Sequence, residues 1–294
     1  MLTDDATDPL DALEPAEANT PILRFGVIAD PQYARLPPAN NRYYELSLQK
    51  LETAIGYFNT HEDLHFVVTL GDLIDRNWES FDDVMPVYAR LHAPPRFVLG
   101  NHDFAVGAAR IGEVPGRVGL SRAYYDFGAA GHRFIVVDGS DISLFANHKG
   151  SANRQLAEER MAAMTAAGEP NAQVWNGGIS DTQYAWLEAT LQRAEDEGER
   201  VIIFGHFPVH PFGEHALWDP QRFTDMVTGF PNVLAYFNGH DHAGNYGLLR
   251  GKHFVNFRGM VEGEADSAYA RVDVYLDRIE IIGQGTETSR VLGL

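Results

Sequence analysis

Cysteine is absent from the 294 residues of this chain. That excludes a disulfide scaffold, a zinc–thiolate site, an iron–sulfur centre and a cysteine nucleophile, and it suits a reducing compartment. Basic residues are scarce: 23 Lys and Arg stand against 41 Asp and Glu, for a formal net charge of −18. A field of that sign repels nucleic acid and anionic membrane and favours capture of divalent cations. No apolar run is long enough to span a bilayer. Residues 1–21 lack the positive region and apolar core of a secretory leader. Their charges are all acidic (Asp4, Asp5, Asp8, Asp11, Glu14 and Glu17), interspersed with Pro9, Pro15 and Pro21, and they read as a flexible acidic arm. A cytoplasmic enzyme with no membrane or nucleic-acid partner is the expectation.

What is present is ordinary for a globular enzyme: 45% hydrophobic and 22% charged residues. Residues 22–294 show neither internal repeats nor a clear linker, so a single domain is expected. Ile22–Ala29, His65–Leu70 and Arg96–Leu99 read as buried strands. Between them, the spacing of Tyr44, Leu48, Leu51, Ile55 and Phe58 predicts an amphipathic helix from Arg42 to about Asn59, and a second helix is expected over Ser80–Leu91. That alternation implies βαβ units and a largely parallel sheet. Tyr124–Phe127 and Arg133–Val137 begin a second sheet. A helix is expected near Gln155–Ala166, and another from Ser180, with Gln183 placed for a capping box, to about Glu197. Val201–Phe204 and Val233–Phe237 are further strands. His253–Phe257, Tyr269–Tyr275 and Arg278–Ile282 alternate like closing antiparallel strands.

Polar clusters follow the apolar runs directly: Asp30-Pro31-Gln32, Gly71-Asp72-Leu73-Ile74-Asp75, Gly100-Asn101-His102-Asp103, Gly205-His206 and Gly239-His240-Asp241-His242. In open α/β sheets ligands sit beyond the carboxyl ends of strands, where these clusters fall. Carboxylate, amide and imidazole donors suit manganese, iron, magnesium or zinc rather than thiophilic metals. Each cluster alone has a bland reading, as a turn, a loop or a satisfied structural histidine. Their conjunction, each after an apolar strand, points to a metal site.

In these motifs the chain resembles the calcineurin-like metallophosphoesterases, whose pattern is Asp-x-His, Gly-Asp-x-x-Asp, Gly-Asn-His-(Asp/Glu), a lone Gly-His and Gly-His-x-His. The first motif departs, with Gln32 in place of His. The resemblance implies a four-layer α/β/β/α sandwich with two mixed sheets. It also implies two divalent ions, one held by Asp30, Gln32, Asp72 and His242 and the other by the bridging Asp72 with Asn101, His206 and His240. A water or hydroxide between the ions would attack phosphorus in line. By the same resemblance His102 serves the leaving oxygen, by protonating it or stabilising its charge, and Asp75 orients His102 and favours its charged form. Asp103 and Asp241 are read as supporting the loops.

The Asp-x-Gln form is similar to a subgroup, the manganese-dependent ADP-ribose/CDP-alcohol diphosphatases. Phe25–Asp30, Arg42-Tyr43-Tyr44, Trp175-Asn176-Gly177-Gly178, Gly244-Asn245-Tyr246 and Val255-Asn256 with Gly259 and Glu262 also resemble that subgroup. This makes Mn2+ the favoured metal and a small nucleotide-like diester or pyrophosphate the favoured substrate. The loop between Gln32 and Arg42 is short and lacks a stacking Phe, and Gly247 is small where the subgroup can place a larger side chain; both leave base preference open. Arg42, Arg76, Tyr43 and Trp175 are candidate substrate contacts. Surface exposure, pairing with Glu45 and packing are their alternatives. Trp218 is a further lining candidate, and His210 and His215 are candidate cleft-edge residues. A phosphomonoesterase or protein phosphatase on the same site, and a non-catalytic protein-binding scaffold, are the competing readings. Oligomeric state is not legible.

Overall fold

Apolar strands of this chain alternate their side chains between two cores, which is why they read as unbroken hydrophobic runs. In Phe66–Val68 the first and third residues enter one core and Val67 enters another; Phe134–Val137 and Ala235–Phe237 do the same. Such two-faced burial is expected of strands covered on both sides. The computed structural model describes residues 19–294, so the acidic arm expected at 1–21 lies almost wholly outside the described residues.

The chain runs β1 (Leu23–Ile28), α1 (Ser47–Asn59), β2 (Phe66–Leu70), α2 (Ser80–Tyr88), β3 (Pro95–Val98), α3 (Val114–Arg117), β4 (Tyr125–Ala129), β5 (His132–Val136), β6 (Ile142–Ser143) and α4 (Ala152–Ala167). It continues through β7 (Gly177–Gly178), α5 (Asp181–Asp196), β8 (Arg200–Phe204), α6 (Pro220–Gly229), β9 (Val233–Asn238), β10 (Asn245–Leu249), β11 (Lys252–Asn256), β12 (Ala268–Val274), β13 (Arg278–Gly285) and β14 (Arg290–Gly293). One sheet has the order β14-β13-β12-β1-β2-β3 and the other β10-β11-β9-β8-β5-β4; β6 and β7 form a small ribbon. The first sheet is parallel across β1-β2-β3 and antiparallel beyond, and the second is parallel from β11 to β5 with antiparallel edges.

The sheets face each other across a core rich in phenylalanine: Phe25, Phe66, Phe134, Phe204 and Phe237. Rings of Phe25 and Phe66 stack at 4.9 Å, and Phe134 meets Phe66 edge-on at 4.8 Å. Outside the first sheet lie α1 and α2, through Leu51, Ile55, Phe58, Phe81 and Val84. Outside the second lie α5 and α6, through Leu187, Leu191, Phe223 and Val227. The result is the four-layer α/β/β/α sandwich. Among the described residues, no helix is long and apolar enough to cross a membrane.

Three expectations change. The first helix begins at Ser47 rather than Arg42, because Arg42 bridges both Ala39 and Glu262 and the Tyr43 N–H bonds the Val261 carbonyl. The capping box at Ser180 is half made: Ser180 Oγ accepts the Gln183 N–H, but the Gln183 amide turns to the Asp138 backbone and Asp141. The run expected at His253–Phe257 as a closing antiparallel strand is Lys252–Asn256 in the second sheet, antiparallel to β10 but parallel to β9.

Candidate metal centre

The strands β1, β2, β3, β8 and β9 deliver the five clusters to one end of the sandwich. Asp30, Gln32, Asp72 and His240 all have left-handed backbones, with φ of 48°, 45°, 53° and 71°. Non-glycine residues rarely sit there, and clusters of them mark functional sites. Glycines next to them permit the crowding. A Cβ on Gly100 would overlap Asp72 Oδ1, and one on Gly239 would overlap Asp30 Oδ2.

Asp72 is the hub. Its Oδ2 accepts from Gln32 Nε2 at 3.0 Å and lies 3.4 Å from His206 Nε2, and its Oδ1 accepts the His102 N–H at 2.8 Å. Burial alone would raise the Asp72 carboxyl, but the imidazoles of His206, His102 and His240 overrule it and hold the group well below the usual carboxylate range. Asp103 secures the loop from behind: it accepts the N–H groups of Asp72, Ile74 and Gly100 at 2.9–3.2 Å. Burial and then the Asp72 charge push Asp103 up to about 7.

Each imidazole has one nitrogen tied down. His206 Nδ1 donates to the Leu70 carbonyl at 2.8 Å, leaving Nε2 beside Asn101 Oδ1 (3.1 Å) and Asp72. His240 Nε2 donates to Asn176 Oδ1 at 2.9 Å. The Asn176 amide is fixed in turn, because its Nδ2 donates to the carbonyls of Asn171 and Glu214. His242 Nδ1 meets Glu262 Oε1 at 2.7 Å, and its Nε2 faces Gln32 at 3.1 Å and Asp30 at 3.7 Å. A carboxylate or amide behind a histidine selects the tautomer whose other nitrogen has a free lone pair, as metal sites require. Asp30 completes the ring of donors, accepting the His240 N–H at 3.0 Å.

The donor set fits divalent cations. Asp72, His206 and His240 offer ligand atoms within 4.8 Å of one another, all three residues buried. Gln32 Oε1 is buried with no hydrogen-bond partner, and an unpaired buried amide oxygen is costly unless something else binds it. It is the Gln32 amide nitrogen that faces Asp72 Oδ2 and His242 Nε2, and turning the amide over would offer the oxygen to a cation at that place. His240 is held well below its usual pKa, by burial first and His206 second, so it stands neutral as a ligand must.

Above this floor opens a cleft of about 410 Å3, lined by Gln32, Arg42, Asn101, His102, Trp175, His215, His240 and His242. His102 Nδ1 lies 3.1 Å from both Asp75 Oδ1 and the Asp75 carbonyl, so Nε2 is the nitrogen available to a ligand. Burial would lower His102, but the charges of Asp72 and Asp75 lift it to about 9. Arg42 Nε stands 3.5 Å from Glu262 Oε1, not against Glu45.

The structure does not bring every sequence candidate to the cleft. Arg76 turns back to the Asp75 carboxylate, and Tyr43 is outside the lining. Trp218 is fully buried with Ile142, Ala157 and Met164, where its size serves packing. His215 is a cleft residue, whereas His210 lies with Phe254 beyond it. Sequence reasoning gave no role to Asn176 or Glu262, although both fell in segments singled out for resemblance.

Comparison with known proteins agrees with this geometry. A family model described as calcineurin-like phosphoesterase matches residues 23–244. The manganese-dependent ADP-ribose/CDP-alcohol diphosphatase of Arabidopsis thaliana is 27% identical over 298 residues, covering 90% of this chain and 95% of that protein. The Homo sapiens protein of the same name is 28% identical, covering 94% of each. A dimetal phosphatase from Danio rerio superposes with a TM-score of 0.84 at 25% identity, covering 93% of this chain and 99% of that one.

Proposed function

The chain belongs to the calcineurin-like phosphoesterases and is a metal-dependent hydrolase of phosphoric esters or anhydrides, and from that premise we propose that it cleaves the pyrophosphate bond of small nucleotide-like molecules, of the ADP-ribose or CDP-alcohol kind, with manganese. The carrying observation is the convergence of Asp72, His206 and His240 beneath a cleft whose wall presents His102 braced by Asp75. The relatives' names supply the substrate class and the metal. In this reading Asp30, Gln32, Asp72 and His242 hold one ion, and Asp72, Asn101, His206 and His240 hold a second. When bound, such a pair neutralises phosphate charge and acidifies water.

The chain's own groups do the rest. His102, protonated at neutral pH, donates from Nε2 to the departing oxygen, and Asp75 keeps the ring aimed and charged. Arg42 offers a guanidinium at the rim for the second phosphate, and Trp175, 39% exposed, offers a flat apolar face to the leaving group. The −18 charge favours a small phosphorylated substrate over nucleic acid, and the cysteine-free composition supports a cytoplasmic setting. Because both sheets contribute to one cleft, residues 22–294 act as one domain.

The test is a panel. The protein is stripped of metal, reloaded with manganese, magnesium, zinc or iron, and offered ADP-ribose, CDP-choline, cyclic AMP, a nitrophenyl diester and a nitrophenyl monoester. Fastest turnover of the two pyrophosphates with manganese is expected. Faster turnover of the monoester would make the enzyme a phosphomonoesterase, and no turnover with any metal would make it a scaffold.

A further inference from the structure

The buried face of α1 carries one charge among its apolar residues, Lys50, with 7% of its surface exposed. Its ammonium points at the carbonyls of four consecutive residues: Met260 at 3.1 Å, Val261 at 3.3 Å, Glu262 at 2.9 Å and Gly263 at 2.6 Å. An ammonium has three protons, so the four acceptors share them, with Glu262 and Gly263 closest. Carbonyls of successive residues repel one another when turned to a common point. Here a cation at that point offsets the repulsion. Burial pushes the ammonium down to about 8, while the charges of Glu262 and Asp266 oppose that fall.

The segment so gathered is the one that orients His242. Glu262 Oε1 takes His242 Nδ1 at 2.7 Å, and Glu262 Oε2 accepts Asn41 Nδ2 at 3.0 Å. Gly259 packs on the same ring, close enough that an added Cβ would stand 2.6 Å from His242 Cγ. The backbone is stitched on its other side to the end of β1, Met260 N–H to the Ala29 carbonyl and Val261 N–H to that of Asp30. Lys50 therefore lies behind Glu262, and Glu262 behind His242.

We propose that Lys50 is a positioning residue for the metal centre: by fastening residues 260–263 it places the Glu262 carboxylate against His242 and so presents His242 Nε2 to a cation. This rests on the reading of His242 as a metal ligand. An apolar side chain at position 50 would leave the carbonyls of Met260, Glu262 and Gly263 without this donor, Val261 keeping the Tyr43 N–H, and the turn would open to water. Groups behind a metal-binding histidine typically set affinity by about 10–100-fold.

The experiment measures Mn2+ binding to the full chain by the paramagnetic resonance of free Mn2+, for the parent, Lys50→Met, Glu262→Gln, the double variant and His242→Ala. His242→Ala identifies the binding step that depends on His242; if it changes neither step, the reading of the site fails before Lys50 is in question. With that step identified, Lys50→Met should weaken it by roughly tenfold or more. The double variant should bind no more than about twofold worse than Glu262→Gln, because both changes break one chain of contacts. Saturating manganese should restore turnover. Parental affinity in Lys50→Met, or full multiplication of the two effects, would overturn the proposal. Should Lys50→Met fail to fold by circular dichroism, Lys50→Gln, which keeps two donors, carries the same cycle with a smaller loss.

Discussion

His102 and His206 stand on the same carboxylate yet do different work, and their partners decide which. Burial would lower both, and Asp72 leads the charges that lift both to about 9. His206 is sealed, with Nδ1 on a carbonyl and Nε2 among ligand atoms, whereas His102 keeps a face on the cleft. A raised imidazole stabilises the fold fully below its unfolded pKa, about 6.5, and that contribution fades as pH rises through about 9. Metal-free protein should therefore lose thermal stability between pH 7 and 9. With His206 a ligand, as proposed above, manganese must displace its proton to bind. Calorimetric titration at pH 7.5 in two buffers of different ionisation enthalpy should show net proton release, and identical heats would rule out a charged His206. His102→Ala should instead leave manganese affinity near parental and slow turnover by about 10²–10⁴-fold; an unchanged rate on a poor leaving group would remove its role as acid. The sequence named these residues because they sit within four positions of a strand end. Asn176 and Lys50 escaped it, since each acts through a partner far along the chain, and nothing local marks an asparagine or a helix lysine as having one.

At the scale of elements, the site exists because neighbouring strand ends are allowed to touch. Gly100 follows β3 and abuts Asp72, which follows β2. An alanine there has to push the β2 and β3 loops apart, since Asp72 is itself pinned by Asp103 and His102. Gly100→Ala is expected to weaken manganese binding by about tenfold or more, with secondary structure retained by circular dichroism; parental affinity would mean that the loops carry slack. Strands β1, β2, β8 and β9 were readable from composition because they are buried on both faces. Their partners were not. The run at Lys252–Asn256 alternates as an edge strand does, but whether it pairs with β9 or β12 depends on long-range closure that a local pattern does not encode. β10 and β14 were missed for a related reason: they are short edges with exposed Tyr246, Leu248 and Val291, and neither shows a two-faced apolar run. The start of α1 was misplaced because Arg42 answers to Glu262, over two hundred residues away.

Across the whole molecule, the ligand set proposed above would also make the metal centre a clasp. Asp30, Gln32, Asp72 and Asn101 come from the β1–β3 sheet, while His206, His240 and His242 come from the sheet of β8 and β9. An ion held by both sets ties the layers together at the end where the phenylalanine core stops. Without it, buried carboxylates and an unpaired Gln32 oxygen stand at that seam, so the native state should gain from manganese by mass action. One ion at a hundred times its dissociation constant contributes about 2.7 kcal/mol, which for a domain of this size raises Tm by roughly 5 °C. Asp72→Asn removes the carboxylate at the hub, and in that variant added manganese should leave Tm unmoved and turnover absent. Scanning calorimetry with and without the metal separates this from simple loss of chemistry. A parent whose Tm ignores manganese would mean that the two sheets close without an ion between them.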